Sequence, residues 1–296
     1  MLISVFNIEY WKGRSFMRRT IVCILCFLIT CVSSLALANN TVNWSKGDVT
    51  AIGVGYPPEE MGMRGNSIAR RAAMVDAQRN LLEITKGVQI DAETTVESMT
   101  VSSDVVNSKV QGLLKGAQIF EEGNLDDGGY YVKMRIALYG STNSLASVAI
   151  AEYTKDIQPQ EFAEVEDTDL TKKEVKAIKR AGHTGVIVDA SGLGLEATFS
   201  PAILDTNGRI VYGIANVDKD VVISKGMVDY ANALEEATVG SRAGDNPLVV
   251  KAVEAKGGKN SVNKVNVVVS VEDADRILLA NEKSGMLDNL AVVFVK

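Results

Sequence analysis

Hydrophobic and polar positions along the first half of the chain change period several times, and each change predicts an element. Residues 48–55, Asp48-Val49-Thr50-Ala51-Ile52-Gly53-Val54-Gly55, alternate and read as a strand that Pro57-Pro58 stops. From 66 to 86 the period becomes helical: Ala69, Ala73, Ala77 and Leu81 recur every four residues, a face of small side chains suited to lie close against a sheet. Arg70, Arg71, Asp76 and Arg79 fall mostly on the watered side. Asn66 or Ser67 is the expected N-cap, and Gly87 the expected left-handed stop. Residues 89–114, with apolar points at Ile90, Met99, Val105, Val106 and Val110, fit a broken helix better than a strand. Residues 117–124 and 129–139 form a hairpin across Asp126-Asp127-Gly128-Gly129. In its second strand Tyr130, Val132, Met134, Ile136 and Leu138 point one way and Tyr131, Lys133, Arg135 and Tyr139 the other. A short apolar helix follows at 144–153.

Charge interrupts the pattern at 154–181. An acidic run, Glu164-Val165-Glu166-Asp167-Thr168-Asp169, gives way to the basic Lys172-Lys173-Glu174-Val175-Lys176, and the segment reads as a linker, partly helical at its basic end. Beyond it, strands are expected at 184–189, 199–204, 209–213 and 248–255, with a tight turn at Asn207-Gly208 and a helix at 227–239. The end reads strand 265–269, helix 272–283 and strand 290–295, a βαβ unit or a split version of it. Ser270 with Asp273 suggests a capping box, Ala274, Ile277 and Leu278 give the buried stripe, and Gly285 ends the helix. The fold class is therefore α+β: a helix packed on a small antiparallel sheet over 48–153, the linker over 154–181, and a second mixed α/β domain over 182–296 that closes on a strand–helix–strand unit.

The strand, then Ala69-Arg70-Arg71-Ala72-Ala73 with Ala77, then Gly112 and Gly116 ahead of the first hairpin strand, then Tyr131-Val132-Lys133-Met134, together resemble one family. It is that of the small membrane-associated lipoproteins, which shares its fold with the N-terminal domain of a flagellar H-ring assembly protein. The likeness covers residues 49–139. Its motifs are packing motifs, so it implies a fold and a cell-envelope setting and carries over no catalytic residue.

The front of the chain agrees with such a setting. Met17-Arg18-Arg19-Thr20 is a basic n-region, residues 21–32 are apolar, and Leu35-Ala36-Leu37-Ala38 supplies small residues for cleavage after Ala38. Residues 1–38 are read as a signal peptide with an upstream extension over 1–16, which predicts export to the periplasm or cell envelope. An uncleaved anchor is the alternative, although the apolar run is short beside the roughly 20 residues of a membrane span. Cys23, Cys26 and Cys31 all lie in this leader, so the mature chain is expected to carry no disulfide. Leu28-Ile29-Thr30-Cys31 departs from a lipidation motif by its Thr. The whole chain has 31 Lys+Arg and 37 Asp+Glu; without residues 1–38 these become 27 and 36, a net charge of −9. Such acidity argues against a nucleic-acid partner, which needs a concentrated positive face.

Candidate chemistry is sparse. Gly192-Leu193-Gly194-Leu195-Glu196-Ala197 matches a dinucleotide fingerprint in letters, but the strand-like Thr198-Phe199-Ser200-Pro201 stands where a helix must begin, so no cofactor is expected. Gly53-x-Gly55 lacks a following helix N-terminus in the same way. Asp205-Thr206-Asn207-Gly208 has the look of half a calcium loop without the remaining ligands, and is read as a turn. His183 is the only histidine, so ordinary zinc sites and Cys–His dyads are not expected. Asp189, at a strand end, and Glu196 are the candidate carboxylate pair. Arg242, in the polar loop 241–247, is a candidate for gripping a carboxylate or glycan, and Tyr131, Arg135 and Tyr139 form a candidate partner face. The favoured reading is a non-enzymatic envelope protein, structural or assembling, that contacts other envelope or flagellar basal-body proteins or itself. The alternative is a binding module using loops 189–197 and 241–247, and a hydrolase centred on Asp189 and Glu196 comes third.

Overall fold

The computed structural model describes residues 40–58, 62–165 and 170–296. The predicted leader and the acidic stretch at 166–169 lie outside them. Residues 40–296 form one compact unit that carries eight α-helices and three four-stranded sheets among its described residues.

The front module is one sheet with one long helix on it. β1 (Thr41–Asn43), β2 (Asp48–Gly55), β3 (Gln118–Asn124) and β4 (Tyr130–Ala137) run antiparallel in the order β1-β2-β4-β3. α1 (Gly62–Lys86) crosses the face where Val49, Ala51 and Gly53 of β2 pair with Ile136, Met134 and Val132 of β4. Ala69, Ala73, Ala77 and Leu81 are wholly buried there, as their four-residue spacing predicts. The helix approaches unusually closely. A Cβ placed on Gly53 would lie 2.0 Å from the Ala77 amide nitrogen, and one on Gly55 2.2 Å from the Ala69 carbonyl oxygen. The two glycines that resemble a phosphate loop in letters are therefore the seat of a helix.

Three details of this module depart from expectation. Lead-in residues 41–43 form β1, too short for its period to register. α1 starts at Gly62, which puts Asn66 and Ser67 inside the helix instead of at its cap. Gly87 ends it without a left-handed φ, its amide bonded to the Glu83 and Ile84 carbonyls at 3.3 and 3.1 Å. The broken helix is α2 (Val96–Ser102) and α3 (Asp104–Lys115), split at Ser103, whose hydroxyl caps α3. α4 (Leu145–Tyr153) follows behind its Ser144 cap.

Next come α5 (Lys172–Ala181) and a back module of two further sheets. β5 (Gly185–Asp189), β8 (Asp229–Ala231), β9 (Pro247–Lys251) and β12 (Val292–Val295) form an all-parallel sheet in the order β8-β12-β5-β9. Its two central strands are near-continuous apolar runs, the pattern of strands covered on both faces. β6 (Ile203–Asp205), β7 (Ile210–Tyr212), β10 (Glu254–Lys256) and β11 (Asn266–Val269) form the other, in the order β10-β11-β6-β7. α8 (Val271–Ser284) begins at Ser270, whose hydroxyl accepts the Asp273 amide at 3.0 Å, and stops at left-handed Gly285. It joins strands of two different sheets, so the chain does not close on the expected βαβ unit, whole or split. The helix expected at 227–239 is β8 followed by the short α7 (Leu234–Thr238), because the strand has only three residues and its buried neighbours Met227 and Val228 leave no clear period. α6 (Lys219–Lys225), capped by Asp218, precedes them.

An aromatic seam joins the modules. Phe199 stacks edge-on to Trp44 at 5.2 Å and to Tyr139 at 5.5 Å, and Tyr230 meets Trp44 at 5.8 Å and Phe294 at 6.2 Å. Backbone bonds run alongside: the Ser200 amide donates to the Ile90 carbonyl at 2.8 Å and the Gly140 amide to the Ile223 carbonyl at 3.0 Å. Part of the charged segment is tied down too, with the Gln160 amide on the Ala215 carbonyl at 2.8 Å.

Candidate functional site: an open groove beside the hairpin edge

β3 is an edge strand of the front sheet, and most of its residues are exposed. A register shift between Ile119 and Glu121 marks a bulge there, and Phe120, 44% exposed, carries the Arg135 guanidinium 5.5 Å from its ring centroid. Arg135 pairs in register with Gln118 on one side and Thr50 on the other.

At this end of the hairpin lies an open groove of about 860 Å³. Lys46, Lys109 and Arg135 bring three cations to it against one carboxylate, Asp48. Its walls are fixed by local geometry. Gly47 holds a left-handed turn, its amide on the Asn43 carbonyl at 2.9 Å and its carbonyl receiving the Leu138 amide at 2.8 Å. On the far side the Ser144 hydroxyl accepts the Ser147 amide at 3.0 Å, and the Ser147 hydroxyl accepts the Ser144 amide at 3.2 Å. Asn143 adopts φ 53°, a conformation that Asn tolerates better than most residues. Gly112 of α3 leaves open space where a side chain would stand.

The sequence-predicted residues separate. Tyr131 and Arg135 share the outer face of β4, as the alternation says. The Tyr131 hydroxyl donates to Glu121 at 3.1 Å, and Lys133 binds the same carboxylate at 2.9 Å. Those bonds, from Lys133 first and Tyr131 second, hold the Glu121 carboxyl below its usual range, and the bond to Glu121 raises the Tyr131 phenol. Tyr139 does not join them. β4 ends at Ala137, and although Leu138 is still buried as the alternation predicts, the Tyr139 ring turns into the aromatic seam, where burial raises its phenol strongly.

Arg242 is an internal staple and grips no open site. Its guanidinium donates to the Gly226 carbonyl at 2.9 Å and the Lys225 carbonyl at 2.7 Å, capping the C-terminus of α6, and pairs with Asp229 at 2.6 Å. The rest of its loop is braced likewise: the Asn246 side-chain amide donates to the Ala181 carbonyl at 2.8 Å, and the Thr184 hydroxyl to the Ala243 carbonyl at 2.6 Å. His183 sits by the same loop, Nδ1 3.4 Å from the Asn246 carbonyl oxygen. Asp189 closes a turn by accepting the Ser191 amide at 3.0 Å, and bonds from Ser191 hold its carboxyl below the usual range. Glu196 is exposed and held through its backbone, its amide on the Lys264 carbonyl at 2.8 Å. Nothing in these bonds couples the two carboxylates. Gly192 and Gly194 both adopt left-handed φ, and no helix begins behind them.

One charged constellation in the back module has no signature in the sequence. Arg209 sends Nε to Asp205 at 2.9 Å, Nη2 to Asp275 at 2.8 Å and Nη1 to the Glu164 carbonyl at 2.8 Å. Both carboxylates are fully buried. Asp205 also accepts the Asn207 and Arg209 amides at 2.9 Å each, so the turn that resembles half a calcium loop is filled by its own backbone and by arginine. Among the described residues no group of three His, Cys, Asp or Glu side chains is placed to hold a metal ion. The sequence signal near the groove is Arg135, on the outer face that the alternation of β4 predicts. Lys46 and Lys109 give none, because only the fold brings them together.

Residues 185–296 match the family described as the second domain of Treponema pallidum Tp0624. The match starts at the first residue of β5 and spans both back sheets, under half of the chain. No curated protein matches the chain.

Proposed function

We propose that this protein is an exported cell-envelope component that works by docking a partner protein, with the β3 edge and the adjoining groove as the docking face. The observation that carries this is the exposed edge strand bearing Phe120 under Arg135, set beside an open groove with three cations and one carboxylate. Such an edge accepts an extended segment by main-chain pairing, while side pockets select its residues. The excess of cations fits a partner segment carrying Asp or Glu. The resemblance of residues 49–139 to envelope lipoproteins and to the flagellar H-ring protein supports an assembly role, and the leader pattern supports export. Asp189 and Arg242 are engaged in a turn and a helix end, so the back module is the body on which the docking face is carried.

The test is gentle extraction of the envelope followed by native-mass chromatography and mass spectrometry of co-eluting proteins, with the parent and the Phe120→Ala/Arg135→Glu variant side by side. The expected result is a large particle for the parent and loss of its partner in the variant, at unchanged melting temperature. A parent that elutes alone, or a variant that keeps the same partner, overturns the proposal.

A further inference from the structure

We propose that α5, with the end of α8, is a cationic landing surface for a membrane rich in anionic lipid. This inference is independent of the docking role above. α5 puts Lys172, Lys173, Lys176, Lys179 and Arg180 into ten residues against the single Glu174, in a chain whose formal net charge is −6. Glu174 is committed to the capping box at the start of the helix, accepting the Thr171 amide at 2.8 Å. The half-buried Ile178 packs against the core and holds the helix down, while Lys179, on the cationic side, pairs with Glu282 of α8. The cationic side stays outside. Lys172, Lys176 and Arg180 are exposed, and no carboxylate among the described residues pairs with them or with Lys283.

These four cations and the paired Lys179 line one open depression of about 470 Å³, floored by Leu170 and Val175. Amines around an apolar floor are the arrangement in which lysine stems cover apolar surface and the charged heads reach phosphate. The choice of residue matters as well. A specific acidic peptide is best gripped by bidentate arginine forks, whereas mobile point charges suit a fluid layer of headgroups. This surface has one arginine among its lysines. The rest of the molecule is acidic and is repelled by the same layer, so attraction is confined to this patch and gives the protein one orientation on the membrane.

The full chain is tested by co-sedimentation with vesicles of mixed phosphatidylglycerol and phosphatidylcholine, and with phosphatidylcholine vesicles alone. The parent is expected to prefer the anionic vesicles and to be released as salt shortens the screening length. Each lost cation weakens partition by about fivefold at most, so Lys172→Gln/Lys176→Gln/Arg180→Gln together are expected to lower it by roughly tenfold or more, with circular dichroism and melting unchanged. The leader is common to parent and variant, so the difference reports the α5 patch. A variant that partitions like the parent overturns the proposal. So does a parent that shows no preference for the anionic vesicles, or one that ignores vesicles and binds soluble polyglutamate, which would assign the patch to an acidic protein.

Discussion

The two modules solve the burial problem in opposite ways. The front sheet is covered by α1 on the face of Val49, Ala51 and Gly53, while Tyr131, Lys133 and Arg135 stand on the other. The back module buries its central strands on both faces and spends its polar side chains internally, on the Arg209 cluster and the Arg242 staple. A thin layer with a free face and a free edge has surface to offer. A module whose arginines hold its own helices and turns has stability to lose. The contrast predicts that loss of an internally bonded arginine is costly in the back module and that surface charge changes in the front are nearly silent, while added volume is costly at the α1–β2 contact.

The largest effect is expected at Arg209. Its removal leaves two fully buried carboxylates without their shared cation, a class of change that destabilises by about 3–5 kcal/mol. Arg209→Ala should fold poorly or melt far below the parent. Arg209→Lys should recover little, because one amine cannot reach Asp205, Asp275 and the Glu164 carbonyl together. A urea midpoint for Arg209→Ala within error of the parent would remove the cluster from the account of what holds the back module together.

Next is Gly53→Ala. The added methyl falls 2.0 Å from the Ala77 nitrogen and 2.2 Å from the Ala73 carbonyl oxygen, both backbone, so α1 must move; overpacking of this kind costs about 1–3 kcal/mol. The sharpening control is Gly112→Ala in α3, which meets nothing within 4 Å and should stabilise by about 0.5–1 kcal/mol as a helix-interior glycine replaced. Equal and small shifts for both would mean that α1 does not sit as close to β2 as described. Third is Arg242→Met, which keeps much of the stem but drops the bonds to the Lys225 and Gly226 carbonyls and to Asp229. A loss of about 1–3 kcal/mol is expected in thermal melts.

How far these features are legible in the sequence depends on whether local period or long-range pairing decides them. β2 is readable to its end residues, because alternation and a proline stop are local signals. The small face of α1 is readable too, yet the glycines beneath it are not, since only the fold shows that Gly53 and Gly55 face Ala73 and Ala69. β8 reads wrongly as helix because its three residues, Asp229–Ala231, are too few to show a strand period between Met227-Val228 and the true helix α7. Tyr139 is misplaced when alternation is carried two residues past the strand's end. Arg242 and Asp189 look like site residues in sequence because loops carry function, and here the loops use them as internal caps. Asp205 and Arg209 meet within one turn, but Asp275 joins them only when α8 packs on β6 and β7.

The smallest effect, at Asp189, separates a turn carboxylate from a reacting one. Bonds from Ser191 depress its carboxyl, so the folded state binds its proton less readily than the unfolded chain does. The stabilisation is therefore present above the ordinary value of 3.8 and is lost as pH falls through the lower folded value. The side chain is only partly buried, and solvent screening limits the effect to a few tenths of a kcal/mol. Asp189→Asn should thus melt slightly below the parent at neutral pH and level with it in strong acid, where Asp189 is protonated in both states. A gap that persists unchanged at low pH would show that the Ser191 bond depends on shape and not on charge. A gap of several kcal/mol would mean that Asp189 is buried and coupled after all, and would bring the back module's loops into consideration as a site.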